Sequence, residues 1–479
     1  MTNSAVKEAN SHYQLSTVNS QFANEVKQVP VGYKQTEVGV IPKDWTVKSL
    51  GSITDPNRPI SYGIVQTGPN VPNGIRCLRV VDIVGGKINT NNLITTSKSI
   101  SDSYRRTILK IGDLVIPLRG KVGEIGLIDN ELCGANLTRG IALIALYDGV
   151  DPRYLKNYLS SSHSSNRFLA SMNGSALQEI TIASLRNFKV SIPVSQKEQT
   201  AIAKALSDVD ALIQELEKLI AKKQSIKTAT MQQLLTGRTR VQWKIENGEL
   251  KIIPPDHSQL TKQSELGEIP EDWEVYSLAQ LIKNTQLGGN YRNSEQGTGQ
   301  PLIKMGNLGR GYIKLDKLEF VVGKVNEVDR LEFGDLLFNT RNTLELVGKV
   351  AAWRNELPVA YFNSNLMRIT FDSVVVGCNF YMNAVMNSEG FVSALSDIAI
   401  GTTSVAAIYT RDLFQLKIAL PSKKEQTAIA TILSDMDEEI QALERRLNKT
   451  RQIKQGMMQE LLTGKTRLIN GELTMENGK

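Results

Sequence analysis

One helical segment is written twice in this chain. Residues 198–240 align without a gap to residues 425–467, with 25 identities in 43 positions, and the two end on nearly the same words, QQLLTGRTR (232–240) and QELLTGKTR (459–467). The duplication is larger than a helix, because YKQTEVGVIPKDWTVKSL (33–50) matches TKQSELGEIPEDWEVYSL (261–278) at 11 of 18 positions. Between these anchors the likeness thins to landmarks: GDLVIPLRG beside GDLLFNTRN, and SIPVSQKEQ beside ALPSKKEQ. The spacing of the two segments is far too long for a solenoid repeat. The chain therefore reads as two copies of a whole module, and 479 residues exceed what one hydrophobic core usually serves.

The duplicated segments have the pattern of long helices. Ile202, Leu206, Val209, Ile213, Leu216 and Ile220 are spaced 4-3-4-3-4, and Ile429, Leu433, Met436, Ile440, Leu443 and Leu447 repeat that spacing. Neither segment contains proline, and Gly237 and Gly464 stand where a left-handed C-cap ends a helix. Residues 196–235 as helix would extend ~60 Å. A narrow apolar seam on such a rod needs a partner, and the other copy is the nearest candidate.

Charge favours an antiparallel pairing. In the first segment Asp208, Asp210, Glu215 and Glu217 precede Lys218, Lys222, Lys223 and Lys227; in the second, Asp435, Asp437, Glu438, Glu439 and Glu444 precede Arg445, Arg446, Lys449, Arg451 and Lys454. Antiparallel rods set each acidic half against a basic one. The same distribution also complements each helix's own macrodipole. An antiparallel pair has an approximate two-fold axis, so each variable block would lie at its own end of a spacer of fixed length. Dimeric DNA readers hold half-sites ~34 Å or more apart, within reach of such a rod.

Composition narrows the class. Fifty-six Lys and Arg against 49 Asp and Glu give a net charge of +7, mild support for a polyanionic partner. No apolar run nears the ~20 residues of a membrane span, and the polar start MTNSAVKEANSHYQLS lacks a signal peptide's apolar core, so a cytoplasmic location is expected. Cys77, Cys133 and Cys378 and His12, His163 and His257 are scattered, which gives neither a disulfide framework nor a zinc cluster.

The order of these motifs resembles a known family. A G-x-IP-x-DW lead-in, a variable domain, and a P-x-x-EQ-x-AIA-x-x-LSD-x-D helix ending in LLTG-[RK]-TR, then the same again, is similar to the specificity subunit of type I restriction-modification enzymes. The resemblance covers roughly residues 31–468. It implies an α+β fold in which two α/β target-recognition domains are separated by two long antiparallel helices forming a coiled coil, with a pseudo-two-fold internal repeat. The organisation expected is recognition domain 1 (31–194), conserved helix 1 (195–240), a linker (241–260), recognition domain 2 (261–421), conserved helix 2 (422–468) and a tail (469–479); the stretch 1–30 is longer than the family pattern requires, and its polar composition suggests a mobile extension. Each recognition domain would read one half of a split target in double-stranded DNA. The resemblance also implies two modification (methyltransferase) subunits on the conserved helices and recruited restriction (translocase/nuclease) subunits. No cofactor is expected in this chain; S-adenosylmethionine, ATP and Mg would belong to the partners.

Missing motifs agree with a non-catalytic role. An adenine methyltransferase needs Asn or Asp before Pro-Pro and an aromatic, yet Pro254-Pro255 sits in KIIPPDHSQ. The Gly464-Lys465-Thr466 triplet has Gln459 where a phosphate-binding loop requires glycine. Pro255-Asp256 is followed by no Glu-x-Lys within about thirty residues, as a nuclease motif would be. A partner that methylates a base must extrude it from the stack, and a subunit gripping both flanks would help.

Strands are expected at IRCLRVVDI (75–83), GDLVIPL (112–118), IALIALY (141–147), GDLLFN (334–339) and MRITF (367–371). The loops after them supply candidates for DNA contact. Arg119 and Lys121 in one copy, and Asn339, Arg341 and Asn342 in the other, occupy matching places; Arg reads guanine and Asn reads adenine through the major groove. Solvated loop residues, or a phosphate clamp at Arg341, are the plainer alternatives. Arg76, Arg79, Arg292, Lys304 and Arg310 lie beside the preceding strand. Ser175 and Gln178 in MNGSALQEI, and Thr402, Thr403 and Ser404 in AIGTTSVAA, are equivalent in position and can donate to phosphates or base edges, with helix capping as the competing role. Trp45 and Trp273 are identical in the two copies and cannot distinguish unlike half-sites, so core packing is expected of them. Leu212, Leu219 and Ile226 form a second apolar line, a docking strip or the edge of a wide seam; their equivalents Glu439, Arg446 and Ile453 are mostly charged. A stand-alone bipartite DNA binder, or a coiled-coil scaffold without nucleic acid, is the alternative reading.

Overall fold

The structure is a computed structural model that describes residues 29–121, 123–170, 179–244, 249–253, 260–297, 299–402, 405–469 and 472–474. Its contacts divide the chain into two compact units, residues 1–215 with 447–479, and residues 216–446. Each unit thus contains one variable block, part of the helix that follows that block, and part of the other long helix.

In the first unit the lead-in forms a hairpin, Tyr33–Thr36 against Gly39–Pro42, and then the strand Trp45–Ser49. That strand pairs antiparallel with Lys189–Pro193, which delivers the chain to the first long helix. The start and the end of the block are thereby held together. Between them lies an antiparallel sheet in the order Gly126–Leu127, Leu114–Pro117, Ile141–Ile144, Ser61–Tyr62. All residues of Leu114–Pro117 and Ile141–Ile144 are buried, as expected of central strands read as continuous apolar runs. A second sheet pairs Ile75–Leu78 with Asn136–Leu137 and Ile94–Thr96.

The second unit repeats this plan. Its lead-in hairpin is Thr261–Ser264 with Gly267–Pro270, and Glu274–Ser277 pairs with Lys417–Leu420 ahead of the second long helix. The central antiparallel sheet runs Ile282–Leu287, Leu366–Phe371, Leu336–Asn339, Val350–Ala352. Trp45 and Trp273 are buried cornerstones of their units, as their identity in both copies suggested.

The long helices are Gln196–Leu235 and Lys423–Leu461, and the twelve seam residues from Ile202 to Leu447 are all buried or half-buried. Ion pairs give their direction. In the second unit Lys223 meets Glu439 at 2.6 Å and Lys227 meets Asp437, so rising numbers on one helix meet falling numbers on the other. In the first unit Lys454 meets Asp210 at 2.6 Å, in the same antiparallel sense. The seam also reaches into the domain cores: Ile202 and Leu206 share a core with Leu461 and Leu462 in the first unit, and Ile429 and Leu433 share one with Leu234 in the second.

The words repeated in the sequence are the residues that fasten each helix. Gln199 accepts from the backbone N–H of Asp151 (2.8 Å) and donates to the Pro193 carbonyl (3.0 Å); Gln426 accepts from Gly377 (2.9 Å) and donates to Pro421 (3.0 Å). The neighbouring glutamates hold an arginine beyond the end of the opposite long helix. Arg467 reaches Glu198 and Asp44, and Arg240 reaches Glu425 and Asp272. Beside these clamps the chain turns at Gly464 (φ 73°) and Gly237 (φ 70°), each packed against the proline and tryptophan of a lead-in motif. The end of each rod is therefore a lock on the lead-in motif within its own unit.

Within 241–260, assigned to a linker on sequence grounds, Arg240–Lys244 pairs with Glu249–Ile253 as a hairpin. The extension 1–28, the Pro254-Pro255 pair and His257 lie outside the described residues. Leu212, Leu219 and Ile226 are each more than a third exposed, so they are not covered edges of the seam. No helix among the described residues is long and apolar enough to cross a membrane.

Candidate nucleic-acid interface

In the second unit the buried strand Leu336–Asn339 carries the chain out to a short strand, Arg341–Asn342. That strand pairs with Ala406–Ala407, which pairs in turn with Ile400–Gly401. The structure thus brings together two loops that the sequence singled out separately. The register sets Arg341 opposite Ala407 and Ala407 opposite Ile400, so these three share a face. Ala406 packs on the other face into the core, which leaves the Arg341 face outward. Arg341 is exposed, and its guanidinium has no partner among the described residues. Ile400 and Val405 are exposed alongside it. At the tip, Thr402 donates its N–H to the Val405 carbonyl (2.9 Å), and its hydroxyl accepts from Val405 (3.3 Å).

The first unit places the matching loops together in the same way. Arg119 follows the strand Leu114–Pro117 and bridges Glu179 antiparallel, while Ile180 donates to the Leu118 carbonyl at 2.8 Å. Arg119 is exposed and has no side-chain partner among the described residues. Ser175 and Gln178, like Thr403 and Ser404, lie outside the described residues.

Several other candidates have structural duties. Asn339 is fully buried; its side-chain oxygen accepts from the Arg341 N–H (3.3 Å) and its amide faces the Leu346 carbonyl (3.5 Å). It shapes the turn that presents Arg341 and is not available to read adenine. Asn342 turns its oxygen to the Thr343 N–H (2.9 Å). Arg79 and Lys304 are equivalent N-cap residues of short 3-10 helices, Val80–Asp82 and Met305–Asn307. Arg79 is bound by Asp82 and the Asn92 carbonyl, and Lys304 by Glu319, so each of these two candidates for DNA contact already holds an acidic partner. Lys121 spends a donor on the Ile83 carbonyl (2.7 Å), and Arg76 is drawn to Glu131. Arg292 stays exposed without a side-chain partner among the described residues, and Arg310 is half-buried. The arginines of the rod-end clamps were not singled out as functional in the sequence, although the repeated TR in LLTG-[RK]-TR marked them.

Among the described residues there is no group of three or more His, Cys, Asp or Glu placed to hold a metal ion. What the two sites share is an exposed arginine where two loops of the block meet. This suits the edge or backbone of a nucleic acid.

Comparison with known proteins agrees with this plan. The chain matches the family described as the type I restriction modification DNA specificity domain twice, over residues 42–228 and 270–454. It is 29% identical over 216 residues to the type I restriction enzyme EcoBI specificity subunit of Escherichia coli, an alignment covering 44% of this chain and 45% of that one. With the MjaVIII specificity subunit of Methanocaldococcus jannaschii it shares 30% identity over 304 residues, 62% of this chain and 66% of the relative. The alignments thus span from about half to about two thirds of these relatives' lengths. A chain from a structure of complex assembly and conformational transition in a type I R-M system has a similar fold, with a TM-score of 0.54 at 17% identity, covering 88% of this chain and 99% of that one. Because the two family matches fall one on each copy of the module and together take in most of the sequence, the chain belongs to the family of type I restriction-modification DNA specificity proteins.

Proposed function

We propose that this chain is the sequence-recognition subunit of a type I restriction-modification complex. Residues 31–194 and 261–421 act as recognition domains, each reading one half of a split target in double-stranded DNA. Residues 195–240 and 422–468 are the scaffold on which modification subunits dock and to which restriction subunits are recruited. The chain itself carries out no chemical step; S-adenosylmethionine, ATP and Mg act in the partners. One observation carries this reading: in each unit the two variable loops converge on one exposed arginine, Arg119 or Arg341, whose side chain has no partner among the described residues. The arginine is common to both copies, whereas its neighbours differ, PLRGK (117–121) against NTRNT (339–343), so discrimination between two unlike half-sites falls to the residues around it.

The test is methylome sequencing of cells with and without the gene. Loss of methylation at a split adenine motif on deletion supports the reading, and an unchanged methylome contradicts it.

A further inference from the structure

The two recognition domains differ in charge at one equivalent place. Matched glycine turns (Gly86 and Gly311, φ 72° and 88°) and matched backbone bonds (Asn89 N–H to Asp82, Lys314 N–H to Asn307) align Gly85 with Arg310 and Asn89 with Lys314. Strand register does the same further on. Gly126 opposes Val115 and Ala351 opposes Leu337, so Glu124 corresponds to Lys349. In the first domain the place is closed on itself, because the Glu124 carboxylate accepts from the Gly85 N–H at 2.9 Å.

In the second domain three cations stand there. Gly311 donates to the Val350 carbonyl (2.8 Å), which seats the 304–314 loop beside Lys349. Arg310 has one buried guanidinium nitrogen, Nη1, with no hydrogen-bond partner among the described residues, and Nη2 is 3.5 Å from the Glu345 carbonyl. Neither Arg310, Lys314 nor Lys349 forms an ion pair with a described residue. Burial lowers the pKa of Arg310; burial, followed by repulsion from Lys314 and Arg310, lowers that of Lys349 against the pull of Glu345. Gathering like charges around an unsatisfied buried donor is costly unless an anion completes the site. Backbone bonds link this place to the reading platform, since Asn339 donates to the Lys349 carbonyl (2.8 Å) two residues before Arg341.

We propose that Arg310, Lys314 and Lys349 form an anion site that takes a backbone phosphate of bound DNA, present in the second recognition domain and without a counterpart in the first. The proposal rests on the DNA-recognition reading above. Arg341 would then read bases while the cluster fixes the position of the duplex beneath it.

The test is the salt dependence of binding by the full-length protein to a random-sequence duplex of about 40 base pairs, followed by anisotropy. Each phosphate contact contributes about 0.9 to the slope of log K against log salt. Lys349→Glu should reduce that slope by about 1 or more. Lys349→Arg should preserve it, and Lys424→Glu, an equal change in net charge on the exposed start of the second long helix, should leave it unaltered. Lys349→Gln, with an unchanged unfolding midpoint, guards against misfolding and should lower the slope likewise. An unaltered slope for Lys349→Glu and Lys349→Gln, or an equal drop for Lys424→Glu, would overturn the anion site. Those results leave the recognition reading intact if the methylome of cells with the unaltered gene shows its split motif; absence of that motif would sink the reading itself.

Discussion

Arg467 grips Asp44, 423 positions earlier in the chain, with two parallel hydrogen bonds of 3.0 and 2.8 Å. The same guanidinium holds Glu198, whose side chain is only 4% exposed, and lies over the ring of Trp45. Removing it would strand a buried carboxylate. Arg467→Ala should therefore cost about 3 to 5 kcal/mol, nearly all through Glu198, since Asp44 is largely exposed. Denaturant unfolding of the full chain measures this, and Asp44→Ala should cost far less.

Glycine substitutions separate the lock from the rod. A Cβ on Gly464 would lie 2.5 Å from Pro42 atoms in a backbone conformation that disfavours side chains. Gly464→Ala should destabilise by about 1 to 2 kcal/mol from the backbone alone, with the clash added. Gly456, inside the second long helix, has open space around its Cβ position, so Gly456→Ala should stabilise by about 0.4 to 1 kcal/mol. Thermal unfolding of the two variants should move in opposite directions.

Acid sensitivity should be traceable to His163. Burial, and then the charge of Arg167, lower its pKa, against a hydrogen bond involving the Val38 backbone. Between its folded value and the ordinary ~6.5 the unfolded chain binds a proton that the folded chain does not. Its contribution to stability is thus complete above pH ~6.5 and is lost as pH falls through the folded value. Urea midpoints of the protein and of His163→Gln, compared from neutral to acidic pH, should show a shallower decline in the variant.

Arg341→Ala should remove a base contact worth ~1 to 3 kcal/mol and relax one position of the target. Binding of the cognate duplex against single-base variants reads this directly. Equal weakening across all sequences would mean that Arg341 holds a phosphate instead.

The scaffold was legible in the sequence because its signals are local and occur twice. Helix 196–235 has the bounds its periodicity predicts, and the expected strands 112–118, 334–339 and 367–371 appear as Leu114–Pro117, Leu336–Asn339 and Leu366–Phe371. The run at 75–83 ends sooner, because Arg79 caps a 3-10 turn with Asp82 three residues on, a spacing that was there to read. The interface was less legible. Asn339 and Arg341 are two residues apart in one polar loop, and only the strand that buries the first tells them apart. Lys349 was overlooked because its neighbours Arg310 and Lys314 lie some forty residues away in sequence and are seated beside it by folding, with a bond from Gly311 to Val350.

The central claim is that each variable block reads its own half of one split target. Methylome sequencing of cells in which residues 51–190 are replaced by the corresponding block of another family member tests it most directly. The account predicts that one half of the methylated motif changes while the other half is kept. If both halves change, or both disappear while the protein remains folded, the claim is contradicted.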